Sequence, residues 1–408
     1  MNGLKKTITG IVNDADDFID KLKFRFKKRF NLFDPVQVCA YRSYGSDSEI
    51  HVRGRVMEDK GITKSDDSDT VWDNIVNMYK RFESDEVAGA RLSILFDGKK
   101  YETVSDDEGY FYFDIKPEKP FPEDRHWFEA EIELLESPIP MKNKVKTVAL
   151  IFVPPKQAEF GVISDIDDTV IESFATNRVK MAKTVFLKNS RSRVPFEGVS
   201  AFYKALQLGA DGKGLNPLFY VSSSPWNLYD FLIDFLAVHN IPHGPLLLRD
   251  TGTTRDRLFA KNHKAHKYTE IERILNTYPN LKFILIGDSG QQDPVIYHEV
   301  IQNFPDRILA AYIRDVMLPD RAKVVVDIAE KLQHGNTPMV LIENTVKAAE
   351  HAIQSGYINA SQMPEIEVAK MVDNSKETDN IKKQAPHKVA EDVTRSIEDA
   401  KDKPIDEK

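Results

Sequence analysis

Six short apolar runs in the second half of the chain constrain its fold more than any other feature. Residues 160–164, 218–221, 245–248, 283–286, 308–313 and 339–342 lack polar alternation, the pattern of strands buried on both faces. Helical periodicity fills most of the intervals between them. The segment from 158 to 360 is therefore expected to form an α/β domain built on a doubly wound parallel sheet. In such a sheet ligands sit beyond the carboxyl ends of the strands, so the polar residues that follow each run become the candidates for chemistry.

The first run ends in Asp165-Ile166-Asp167-Asp168-Thr169. Three carboxylates crowded at a strand end repel one another and need a cation or hydrogen-bond donors to compensate them. Mg²⁺ suits such a place, because it takes one or two carboxylates together with waters and substrate phosphate oxygens and needs no His or Cys. The second run leads into Ser222-Ser223-Ser224-Pro225-Trp226, a hydroxyl and free N–H groups at a helix entry, which suits an anion. The fourth leads into Gly287-Asp288-Ser289-Gly290-Gln291-Gln292-Asp293-Pro294. Its glycine lets the backbone come close to an ion, and the second acid stands where it can orient the first or hold metal-bound water. Between these two lies His263-Lys264-Ala265-His266-Lys267, ahead of a helix expected over 268–276; a lysine there can present a fixed ammonium to phosphate oxygens. Taken singly, each feature has a plainer alternative: an acidic turn, a serine N-cap, a solvated surface lysine.

Their order along the chain is what distinguishes them. Asp-x-Asp-x-Thr, then Ser, then Lys, then Gly-Asp-x-x-x-x-Asp resembles the four motifs of the haloacid dehalogenase (HAD) superfamily of phosphohydrolases. Finer matches are Asp165-Ile166-Asp167-Asp168-Thr169-Val170, Pro195-Phe196-Glu197-Gly198-Val199, Tyr220-Val221-Ser222-Ser223-Ser224-Pro225-Trp226-Asn227-Leu228-Tyr229, His266-Lys267 and the run from Ile286 to Pro294. These look like the actin-patch-protein phosphatidate phosphatase family. The resemblance covers residues 159–358, about half the chain. It implies a HAD-like catalytic domain in which Asp165 is the nucleophile, forming an aspartyl-phosphate, and Asp167 is the general acid and then the general base. It further implies that Asp288 holds Mg²⁺ together with the Asp165 carboxylate and the Asp167 backbone carbonyl, with Asp293 assisting. Ser222 and Lys267 would bind the phosphoryl oxygens. Lys264 is the alternative to Lys267, since spacing does not fix which side chain turns inward. Ser223 stands where the family pattern has asparagine. Asp168 and Thr169 are read as shaping the turn. The intervals between motifs leave little or no room for a cap domain beyond a small flap over 174–193, and such an open site admits bulky substrates, a bilayer-anchored headgroup included.

The rest of the chain reads differently. In residues 1–34, Phe18, Ile19, Leu22, Phe26, Phe30 and Phe33 recur at helical spacing, with Lys21, Lys23, Arg25, Lys27, Lys28 and Arg29 beside them. That is a basic amphipathic helix, for which two readings stand: lying in the headgroup plane of an anionic membrane, or docked on its own protein with the cations facing water. Residues 35–157 change to short alternating runs at 36–41, 50–56, 91–96, 110–115, 127–135 and 144–152, an antiparallel β-sandwich pattern. Asp97-Gly98 and Glu108-Gly109 supply hairpin turns. The strand pattern resembles transthyretin-like or carboxypeptidase-regulatory-like modules, and a helix is expected near 71–82. Residues 361–408 are charged and poor in aromatics, the composition of a disordered tail, with a short helix expected over 389–400.

Composition bounds the partners. Fifty-six Lys and Arg against 64 Asp and Glu give a net charge of -8 over 408 residues, which excludes bulk electrostatic coating of nucleic acid. The single cysteine, Cys39, excludes an intrachain disulfide or a thiolate cage. No apolar run approaches the roughly 20 residues of a membrane span, and the N-terminus does not read as an export signal. A cytoplasmic protein is expected, with peripheral membrane attachment through its first segment as an option; nothing in the sequence specifies an oligomeric state. The function expected from the resemblance is a Mg²⁺-dependent phosphatase acting on phosphatidate or a related lipid phosphate. The alternatives are the same machinery acting on a soluble metabolite or phosphoprotein, a phosphoacceptor signalling module, and a catalytically silent membrane adaptor. Motif order speaks against the signalling module, because Ser222 and Lys267 precede Asp288.

Overall fold

A computed structural model describes residues 34–59, 86–141, 143–167, 169–170, 196–250, 263–316, 319–332 and 337–373. The basic segment 1–33, the helix expected near 71–82, Asp168, the flap over 174–193 and the chain beyond 373 lie outside the described residues. Two compact units meet in sequence at Val153 and Pro154.

The first unit holds β1 (Val36–Ala40), β2 (Ser43–Gly45), β3 (Ile50–Glu58), β4 (Arg91–Phe96), β5 (Lys99–Val104), β6 (Tyr110–Ile115), β7 (Trp127–Glu136) and β8 (Val145–Phe152). They form one hydrogen-bonded network in the order β1-β3-β2-β8-β7-β4-β5, with β6 on β3. Every pairing is antiparallel except β2 with β8. The expected antiparallel sheet is present, but as a single network rather than two separate sheets. Alternation explains its core: Leu92 and Ile94, Phe111 and Phe113, Ile132 and Leu134 are buried while Leu95, Tyr112 and Glu131 face outward. Asp97 and Gly98 both take positive φ, 51° and 77°, the conformation that a two-residue hairpin turn requires. That turn leads into β5, a strand the sequence does not announce. Lys99, Lys100 and Glu102 face solvent there, and β5 ends the strand order, where lysines discourage further pairing.

The second unit contains β9 (Gly161–Ser164), α1 (Val199–Leu208), β10 (Leu218–Pro225), α2 (Tyr229–Val238), β11 (Leu246–Arg249), α3 (His263–Thr277), β12 (Phe283–Asp288), α4 (Asp293–Asn303), β13 (Ile308–Arg314), α5 (Pro319–Leu332), β14 (Met339–Ile342) and α6 (Thr345–Gln354). Its six strands make one parallel sheet in the order β11-β10-β9-β12-β13-β14. All six apolar runs are strands, and the residues of β9, β12 and nearly all of β10 and β13 are buried, as strands covered on both faces must be. The chain leaves β9 toward β10 and β11, then returns to its other side for β12. Register fixes what this brings together. Ser164 aligns with Tyr220 on one side and Ile286 on the other, so the carboxyl ends of β9, β10 and β12 lie side by side, where neighbouring strands diverge and a crevice opens.

The chain assigned to the tail from residue 361 is instead helical over 363–373. Ile366 is fully buried, and the Asp373 carboxylate accepts the Gly198 N–H at 3.0 Å. One apolar anchor and one contact across 175 residues leave no mark on local composition, which is why the segment reads as tail.

Close packing of the central strands sets a testable limit. A Cβ on Gly161 would collide with the edge of the Phe283 ring on the neighbouring strand. Overpacking of this kind costs about 1–3 kcal/mol, so Gly161→Ala is expected to lower the urea midpoint without changing the slope of the transition. An unchanged midpoint would refute this packing.

Candidate active site

Three of the expected carboxylates meet. Asp165, Asp288 and Asp293 are each fully buried and each offers one oxygen within 4.8 Å of the others. Backbone geometry explains how. The Asp165 N–H donates to the Ile286 carbonyl at 2.9 Å, extending the β9–β12 ladder one residue past the strand. Asp288 closes β12, and its Oδ1 accepts the N–H groups of Gly290 at 2.6 Å and Gln291 at 2.9 Å, which curls the loop back over the strand end. Asp293 sits in the first turn of α4, just before Pro294, a position that favours both proline and a negative charge. Its Oδ2 accepts the Asp288 N–H at 3.2 Å. Gly287 makes this approach possible: a Cβ there would stand 2.5 Å from Asp293 Oδ2 and 2.9 Å from Tyr297 Cε2.

Among the described residues one ammonium serves the cluster. Lys267, on α3, is 2% exposed; its Nζ lies 2.9 Å from Asp165 Oδ1 and 2.6 Å from Asp293 Oδ1. Lys264, one turn earlier, is partly exposed and pairs with Glu299 at 2.6 Å. The structure thus brings Lys267 into the cluster and directs Lys264 away from it. Burial works against the Lys267 ammonium, but Asp165, Asp293 and Asp288 and the hydrogen bond to Asp293 outweigh it and hold the group above the ordinary lysine range. Burial pushes the Asp165 carboxyl well above the ordinary range; Lys267 opposes that rise, and Asp293, Asp167 and Asp288 reinforce it. With all three ionised, the carboxylates exceed the one described ammonium by two charges, a cost that a divalent cation would remove. Oxygen-only donors with no His or Cys in the group fit a hard cation.

Asp167 lies apart from that trio. It is half-buried, and its carboxylate accepts the Ser222 hydroxyl at 2.7 Å and the Ser224 hydroxyl at 3.0 and 3.1 Å. Ser222, a phosphate-binding candidate, is therefore at the site, with its proton directed to Asp167; its Oγ also accepts the Ser224 N–H at 2.9 Å. Thr169 and Val170 donate their N–H groups to the Ile166 carbonyl at 3.3 and 2.9 Å and lie in a turn. Thr169 Oγ1 also reaches Asp165 Oδ2 at 3.4 Å. Ser224 is the contact that sequence reasoning missed. The signal was available, because residues two apart on a strand share a face and Ser222 already had a role. Beneath the strand ends, the Ser164 and Tyr203 hydroxyls pair at 2.6 Å and the Tyr297 hydroxyl donates to the Ile286 carbonyl at 2.8 Å, closing the floor of the site with satisfied polar groups.

Known proteins resemble this chain over part of its length. The chain is 33% identical over 195 residues to Phosphatidate phosphatase APP1 of Saccharomyces cerevisiae, covering 46% of this chain and 32% of that protein. It is 30% identical over 222 residues to Uncharacterized protein C29B5.04c of Schizosaccharomyces pombe, covering 53% of this chain and 35% of that one. The alignments thus span about a third of the length of these curated relatives. A carbohydrate acetylesterase structure from Xanthomonas citri overlaps 73% of this chain and 65% of its own at 11% identity and a TM-score of 0.25, a likeness too slight to bear on fold. Residues 160–315 match the family described as Phosphatidate phosphatase APP1, catalytic domain. They contain Asp165, Asp167, Ser222, Lys267, Asp288 and Asp293, so the part of the chain that is similar to the phosphatidate phosphatase APP1 family is the part that carries the site.

Proposed function

We propose that this chain is a Mg²⁺-dependent phosphatase that hydrolyses a phosphomonoester through an aspartyl-phosphate on Asp165, with phosphatidate, released as diacylglycerol, or a related lipid phosphate as substrate. The observation that carries the reading is the gathering of Asp165, Asp288, Asp293 and Lys267 at the ends of β9 and β12, inside the segment that matches a phosphatidate phosphatase catalytic domain. In this reading residues 158–360 are a HAD-like, doubly wound domain with little or no cap, preceded by the β domain of 35–157. The enzyme works at the cytoplasmic face of an anionic membrane, with the basic residues of segment 1–34 as its contact. No described helix is long and apolar enough to cross a membrane.

The chain's own groups divide the reaction. An Asp165 carboxylate oxygen attacks phosphorus, the bond from phosphorus to the ester oxygen breaks, and the departing alkoxide takes a proton from the Asp167 carboxyl. Asp167 then takes a proton from water as the water oxygen attacks the acyl phosphate; inorganic phosphate leaves and Asp165 regains its carboxylate. Lys267 and Ser222 hold the phosphoryl oxygens as charge builds on them. Asp165, Asp288 and Asp293 would hold Mg²⁺, with the Asp167 carbonyl, and the ion would neutralise charge between a carboxylate nucleophile and a phosphate ester.

Three measurements test this. Phosphate release from vesicle-borne phosphatidate and from a soluble aryl phosphate, with and without Mg²⁺, should require Mg²⁺ and fall to background in Asp165→Asn. Activity of that variant equal to wild type would remove Asp165 as nucleophile, and turnover of the soluble ester alone would remove the lipid substrate. Lys267→Met should lower kcat about 10²- to 10³-fold, the scale of losing one preorganised charge-stabilising donor, while Lys264→Met should stay within about twofold, since a partly exposed ion pair contributes little; equal losses would refute the assignment. Mg²⁺ in large excess should raise the thermal midpoint of the wild type by several degrees, at about 2–4 °C per kcal/mol of binding free energy. Asp288→Asn should abolish that rise, and an undiminished rise would place the ion elsewhere.

A further inference from the structure

We propose that Ser224 is a positioning residue for Asp167, holding the acid so that Ser222 can give its proton to the phosphoryl group. The inference rests on the phosphatase reading above and adds a residue to it. A serine hydroxyl has one proton to donate. Ser222 directs that proton to Asp167 Oδ2 at 2.7 Å, so it cannot serve a phosphoryl oxygen at the same time without releasing Asp167. Ser224 resolves the conflict. It is 2% exposed, it lies two residues further along β10, and its Oγ stands 3.1 Å from Asp167 Oδ1 and 3.0 Å from Oδ2. Either carboxylate oxygen can therefore accept its proton, and Asp167 stays tethered when Ser222 turns away. The Ser224 backbone also donates to Ser222 Oγ at 2.9 Å, which steers the Ser222 proton away from that nitrogen and into the site. The two serines thus act in sequence on one carboxylate, both carried at the end of β10.

The position of an acid matters in proportion to how badly the leaving group needs a proton. Wild type, Ser224→Ala, Ser224→Thr and Asp167→Asn should be compared on an alkyl phosphate, dioctanoyl phosphatidate in micelles, and on p-nitrophenyl phosphate, whose leaving group departs unaided. Ser224→Ala is expected to lose about 10- to 100-fold in kcat on the alkyl ester, part of the range that general acid catalysis supplies, and less than about threefold on the aryl ester, with KM unchanged. Ser224→Thr, which keeps the hydroxyl, should recover most of the loss. Asp167→Asn should show the same split between substrates, and more deeply. Equal losses on both esters, or a change confined to KM, would overturn the inference and leave the phosphatase reading standing. No turnover of either ester by the wild type would overturn both. A crystal structure of Ser224→Ala in which the Asp167 carboxylate keeps its wild-type rotamer would overturn the inference whatever the kinetics.

Discussion

The contact on which the rest of the second unit depends is the buried triangle of Lys267 with Asp165 and Asp293, closed at 2.9 and 2.6 Å. Removing these charges from water is costly, and an ion pair offsets that cost only when its geometry is tight and its remaining donors and acceptors are satisfied. Each side of the triangle therefore demands something of the fold. Lys267 must reach inward from α3, which requires that helix to pack close to β10 and α4. Asp293 must enter from the first turn of α4, which requires the absent side chain at Gly287. Asp165 must follow directly on β9, held by the Ile286 carbonyl of the next strand. The sheet order, the glycine and the helix starts are thus parts of one electrostatic requirement. Among the described residues Lys267 is the ammonium of this cluster, and Asp288 adds a third carboxylate to it. Such an oxygen-only group is one that a hard cation would fit.

How much of this was legible in the sequence follows from which interactions are local. Strands buried on both faces write themselves as continuous apolar runs, so all six strands of the parallel sheet could be read, and the acids at their ends with them. β2 and β5 could not. β2 has three residues, too few for a pattern, and β5 is a solvated edge whose polar side chains hide its pairing. Lys264 and Lys267 are one turn apart on α3 and equally plausible by spacing. They are separated only by Glu299 on one side and two buried carboxylates on the other, contacts made across α4 and β9. The helix over 363–373 escaped for the same reason, being held by Ile366 and by Asp373 on Gly198, a residue remote in sequence.

The two aspartates of the first motif show what separates a nucleophile from an acid when they are two residues apart. Asp165 is sealed among charges, an ammonium and two further carboxylates. Asp167 has neutral neighbours, the Ser222 and Ser224 hydroxyls, and remains half open to solvent. Carboxylates in unlike surroundings can take unlike tasks in a single reaction. In the proposed chemistry Lys267 favours the Asp165 anion against the effect of burial, and a cation would favour it further. The hydroxyl surroundings orient Asp167, and a hydroxyl can donate to a carboxylate or accept from a carboxyl. A group that must give up a proton in one half of a cycle and take one in the other needs partners of that ambivalent kind, and the serines of β10 supply them.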